Sequence, residues 1–193
     1  MDATISATIP QRKIISNGMI AMVFFIAAEA MFFAGLISAY IVNRSVADAM
    51  PVIQQPRLPI EITAINSLIL ILSFVTLFLF SKKYKTESKS FFLLYITIIF
   101  GAVFIGVQGI EWVNLLHFGF STSSSIYGAF FYTIIGAHAV HVIAGLIILL
   151  YLSLSLKKDK SLESVKNKIA ICSLYWYFVV SVWPILYVLV YLT

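Results

Sequence analysis

Five stretches of this chain, approximately 17–41, 62–81, 90–113, 127–152 and 169–192, are apolar over the length that a hydrocarbon layer demands. A helix crossing about 30 Å of bilayer core at 1.5 Å per residue needs roughly 20 mostly apolar residues. Lipid offers backbone N–H and C=O groups no partners, so each spanning segment must satisfy them within itself, and segments so long and so few do not close into a barrel. The sequence therefore predicts an all-α, polytopic membrane protein: a bundle of five transmembrane helices forming a single membrane domain over 1–193. Composition agrees, because 61% of residues are hydrophobic and 11% charged, against roughly 45–50% and about 25% in soluble domains. The first apolar stretch is too long, and lies too far behind the polar residues 1–16, to read as a cleaved signal peptide, so it is expected to stay in the mature protein.

Basic residues in the connections set the orientation. Eleven fall on one side: Arg12, Lys13, Lys82, Lys83, Lys85, Lys89, Lys157, Lys158, Lys160, Lys166 and Lys168; the other side has Arg44 and Arg57. This sorting predicts an N-terminus inside and a C-terminus outside. The same distribution argues against nucleic acid as a partner, since the lysines form topology anchors rather than a basic face with interleaved aromatics. On the outer side, Pro51, Pro56 and Pro59 disfavour a continuous helix across 43–61, and residues 114–126 are rich in Ser. Cys172 has no second cysteine to pair with and reads as a small buried hydrophobe.

Three groups of residues stand out against this apolar background. Glu29 lies about twelve residues, or about 18 Å, into the first helix, among Phe24, Phe25, Met31, Phe32 and Phe33. A carboxyl near the bilayer midplane marks a proton relay or gate, or else a hydrogen-bonding post between helices. His138 and His141 share a face of the fourth helix at similar depth, and one of them is expected within hydrogen-bonding reach of Glu29. Haem ligation fits these histidines poorly, because two neighbours on one helix cannot clamp one iron from both sides. His117 lies far off at the end of the third helix. Gln108, Glu111 and Trp112 form a second group at the outer end of the third helix, where carboxylate and indole are expected to reach the interfacial water. Tyr175, Trp176 and Trp183 form a third on the last helix, read as packing against lipid or another protein, with Pro184 as a kink. Small residues such as Gly101, Gly136 and Gly145 allow close helix approach.

The segment Glu29-Ala30-Met31-Phe32-Phe33-Ala34-Gly35 with Ala39-Tyr40 resembles a helix of subunit three of the haem-copper terminal oxidases. Gln108-Gly109-Ile110-Glu111-Trp112 resembles the helix two further on. Tyr127-Gly128, Phe131-Tyr132, Gly136, His138-Ala139-Val140-His141-Val142 and Gly145 resemble the next, and Tyr175-Trp176 through Trp183 and Tyr187 the last. The resemblance runs in order along essentially the whole chain.

This resemblance implies a subunit with no active site, metal or cofactor of its own within an oxidoreductase complex that reduces oxygen. It would pack on oxidase subunits one and two, which hold the haems and copper, bind phospholipid and support proton uptake, within a larger respiratory assembly in some systems. The five-helix form of the family implies a bacterial enzyme in the inner membrane, and two departures stand against the long form. That form has seven helices and this chain five, lacking the first pair, so the lipid-filled cleft between that pair and the rest does not carry over by resemblance; and Tyr177 and Val180 stand where the family often has His and Asp. Two alternatives share the same residues: a small proton-coupled transporter using Glu29, His138 and His141, and an accessory subunit of a related nitric oxide reductase. Neither the electron donor, a cytochrome c or a quinol, nor the haem types can be read from these residues.

Overall fold

The computed structural model describes residues 16–47, 60–84, 91–123, 125–158 and 161–192. Arg12, Lys13, Pro51, Pro56, Arg57, Pro59, Lys85, Lys89, Ser124 and Lys160 lie outside the described residues. The elements are α1 (Asn17–Ala47), α2 (Ile60–Tyr84), α3 (Phe92–His117), α4 (Ile126–Lys158), α5 (Leu162–Tyr187) and a closing π-helical turn, Val188–Leu192. All five helices are long and apolar enough to cross a membrane, and no strand occurs among the described residues.

The helices outrun the apolar stretches. α1 has 31 residues and α4 has 33, about 46 and 50 Å at 1.5 Å per residue, so their ends stand beyond a core of about 30 Å. The difference is largest at α5, which begins at Leu162 rather than near 169. Residues 162–168 are mostly polar, with Val165 turned into the core and Glu163 in the first turn, where it meets the positive end of the helix dipole. Hydropathy marks where lipid begins, and says little about where the backbone stops being helical.

α2, α3, α4 and α5 form a four-helix unit in which α3 packs on α2 and α4, and α5 on the same two. α1 lies outside it, against α4 and α5. The end of α3 is closed by Gly119, whose φ of 80° is open to glycine at little steric cost. That turn lets Phe120 N–H reach the Leu115 carbonyl at 3.0 Å, a Schellman closure. The turn tucks Phe120 into the core, where Tyr132 donates to its carbonyl at 2.8 Å.

At the centre of the unit stands Trp176. A Cβ added to Gly101 of α3 would lie 2.7 Å from the indole, and one added to Gly145 of α4 would also lie 2.7 Å from it. The indole N–H donates to Ser73 Oγ of α2 at 3.1 Å. One ring thus touches the other three helices of the unit, and it fills the space that a side chain at either glycine would need. Two turns on, Trp183 donates to Ser67 Oγ at 2.7 Å, repeating the α5-to-α2 bond. Pro184, expected to kink α5, does not end it: the helix runs on to Tyr187, and Val188 N–H reaches both the Pro184 and Ile185 carbonyls as the π-helical turn begins.

Lys82 and Lys83 end α2, Lys157 and Lys158 end α4, and Lys166 and Lys168 sit in the first turns of α5. A hydrogen bond from Ser16 to Asn167, 2.7 Å long, ties the start of α1 to the same end of the bundle. Arg44 is in the last turn of α1, at the opposite end.

Candidate functional site

Glu29 reaches from α1 to α4, where its Oε2 lies 2.8 Å from Nε2 of His141. The other imidazole nitrogen, Nδ1, lies 2.7 Å from the backbone carbonyl of Ala137, one turn earlier on the same helix. A carbonyl oxygen only accepts, so Nδ1 must carry a hydrogen. One proton then lies between Nε2 and Oε2. The pair is either carboxylic acid and neutral imidazole or carboxylate and imidazolium, and it is electrically neutral overall in both forms. This neutrality lets an acid and a base coexist at membrane depth, where an isolated charge is costly. The geometry also leaves a single proton free to pass between two heavy atoms.

The surroundings fix the imidazole. Phe33, nearly fully buried, meets its face edge-on at a centroid distance of 5.1 Å, and Phe32 stacks at 6.3 Å. Tyr175 of α5 donates to the His141 carbonyl at 3.2 Å. The pair itself is not sealed: the side chains of His141 and Glu29 are 17% and 21% exposed.

The structure does not bring His138 into this pair. It is buried, and its ring stacks on Trp183 at 5.0 Å and meets the edge of Phe104 at 6.2 Å. Neither of its nitrogens has a hydrogen-bond partner among the described residues. The two histidines are three residues apart, about 60° short of a full helical turn, and that angle is enough to send one into the core and the other to the α1 seam.

The second group requires a correction. Gln108 and Glu111, expected at the aqueous interface, are 2% and 4% exposed. They extend the face of α3 that carries Thr97, Gly101 and Phe104, and that face turns toward the interior. Thr63 of α2 donates to Glu111 Oε2 at 2.9 Å, and Gln108 donates to the hydroxyl of Tyr191 at 3.0 Å. Trp112 is half-buried against the Tyr132 ring at 6.1 Å. The lipid-facing reading of the third group is corrected as well: Trp176 and Trp183 are fully buried and Tyr175 is 3% exposed. They fill the interior of their own chain.

Several polar residues escaped notice in the sequence: Thr63, Asn66, Ser67 and Ser73 on α2, and Tyr191. Their signal was present, since spacings of three, four and seven residues place the α2 set on one stripe of a largely apolar helix. Among the described residues, no three His, Cys, Asp or Glu side chains converge as a metal site would require.

Comparison with known proteins adds a family to this geometry. The model for "Cytochrome c oxidase subunit III" matches residues 3–193. A "Probable cytochrome c oxidase subunit 3" of Nocardia farcinica is 32% identical over 89% of this chain and 86% of its own length. A "Quinol oxidase subunit 3" of Bacillus subtilis is 28% identical over 87% and 83%, and a "Cytochrome c oxidase subunit 3" of Synechocystis is 29% identical over 90% and 75%.

Proposed function

This chain belongs to the cytochrome c oxidase subunit III family, and from that premise we propose that it supports proton uptake in a proton-pumping haem-copper oxidase through the Glu29–His141 pair. It is the third subunit of such an oxidase, cytochrome c- or quinol-linked as its relatives' names are, and a multi-pass membrane protein. Subunits one and two are its partners and carry the haems and copper, so the oxygen chemistry occurs outside this chain. The whole of 1–193 acts as one membrane domain in a bacterial inner membrane, with the lysine-rich end inside, phospholipid bound to it and, in the cell, a larger respiratory assembly around it.

The observation that carries this role is the 2.8 Å contact between Glu29 and His141. The shared proton can be released from one atom and replaced by another proton at the other; the pair is neutral when loaded and carries one negative charge only between release and replacement. Phe32 and Phe33 pack on the imidazole while that proton moves, and Tyr175 ties down the backbone carbonyl of the same residue. The pair's partial exposure at the edge of the bundle leaves it accessible to a neighbouring subunit.

The test is a mild-detergent pull-down of the tagged full chain, followed by a visible spectrum and identification of its companions. Haem absorption with oxidase subunits one and two in equal amounts is the expected result. A colourless, self-associated chain would remove the oxidase role and leave a proton-coupled transporter as the better account of Glu29.

A further inference from the structure

Inside the four-helix unit, five buried polar atoms have no hydrogen-bond partner among the described residues: Asn66 Oδ1 of α2, Gln108 Oε1 and Glu111 Oε1 of α3, and both ring nitrogens of His138 on α4. Their side chains are no more than 4% exposed. Contacts with shared neighbours bring them to one region. Asn66 donates through Nδ2 to the Phe104 carbonyl at 3.0 Å, and the His138 ring meets the Phe104 ring at 6.2 Å and the Trp183 ring at 5.0 Å. Trp183 in turn donates to Ser67, next to Asn66 in the chain. Gln108 follows Phe104 by one turn of α3, and its Nε2 lies 3.5 Å from Glu111 Oε2. The remaining unpartnered atoms, Trp112 Nε1 and Ser173 Oγ, belong to a half-buried ring and to the first half of α5.

The bonds already made fix which atoms are left over. The Phe104 carbonyl only accepts, so the Asn66 nitrogen faces it and the oxygen is the free atom; the Glu111 carboxyl holds the Gln108 nitrogen in the same way. Three oxygens therefore lack a donor, and so does one nitrogen of a neutral imidazole, whose other nitrogen is itself a donor. Four acceptors and one donor cannot satisfy one another. Buried polar groups are nearly always paired, and internal water serves such leftover groups, making about three hydrogen bonds each. We propose that a pair of water molecules is bound here between α2, α3 and α4. Two waters carry four hydrogens, one for each acceptor, and a water oxygen accepts from the His138 N–H. The site gives His138 its polar partners and joins α4 to the hydrogen-bonded chain of Thr63, Glu111, Gln108 and Tyr191. It lies wholly within this chain and does not depend on the oxidase reading.

The experiment is a cryo-EM map of the purified full chain with its companion subunits, at a resolution that shows ordered water. Two peaks are expected, each roughly 2.7–3.2 Å from two or more of the five atoms. His138→Phe, which keeps a ring against Trp183, is expected to lose the peak beside the imidazole and keep the other. Fewer than two peaks in wild type, with His138 bonded directly to Asn66 or Gln108, would overturn the site. Peaks roughly 2.3–2.6 Å from the oxygens alone would mark a cation in place of water and would overturn it too. Both peaks unchanged in His138→Phe would remove the imidazole from the site and, with it, the link to α4.

Discussion

Trp176 and Glu29 represent two different uses of a residue that hydrocarbon does not favour. Around Trp176, in the α2–α5 unit, polar contacts are neutral, one-way and buried: an indole N–H to a serine, with that serine donating to the Leu70 carbonyl one turn back. They fix which helix faces which. Around Glu29, at the α1 seam, an acid meets a base on the most lightly packed helix, whose Phe24 and Met31 are 73% and 76% exposed. A post meant for stability would be better placed in the interior unit. The difference separates a closely packed four-helix unit from an acid–base pair at the partly exposed edge of the bundle.

Substitutions at the two regions should separate these roles. The largest effect is expected for Trp176→Ala, which empties the space shared by three helices and should cost about 3–5 kcal/mol, read as a large fall in the thermal midpoint of the detergent-solubilised complex. Gly145→Ala should follow at about 1–3 kcal/mol, because its Cβ would press on an indole with no room to move. Gly106→Ala, at a position with open space, should leave the midpoint unchanged. If both glycine variants behaved alike, the clamp would not exist. Trp183→Phe should cost about 1 kcal/mol, since it loses one hydrogen bond while Ser67 keeps its bond to the Thr63 carbonyl. A similarly small stability effect is expected for Glu29→Gln, about 0.5–1.5 kcal/mol for the one altered hydrogen bond, although its effect on function should be the greatest.

How much of this could be read beforehand varied with what each feature depends on. Five spans and the conspicuous depth of Glu29 follow from length and burial cost alone, and both were legible. The partner of Glu29 was narrowed only to two histidines, because the choice depends on the rotation of α4. That rotation was encoded in Gly128, Phe131, Ile135, Val142 and Gly145, which share the buried face with His138 and leave His141 to one side. The burial of Gln108 and Glu111 was misread, since a carboxyl near a helix end can meet water or a Thr on the next helix, and hydropathy treats the two alike. The inward tryptophans were missed for a related reason: the space that holds Trp176 is made by glycines on two other helices, a complementarity visible only once the helices are assembled.

The most direct test of the proton-sharing pair is oxygen consumption by the purified complex carrying Glu29→Gln, followed over many turnovers beside wild type. The account predicts an unchanged visible spectrum and subunit ratio and a normal initial rate, then a progressive loss of activity that wild type does not show. A time course identical to wild type would contradict the role of the pair in proton uptake, and a complex that fails to assemble would show Glu29 to be a structural post.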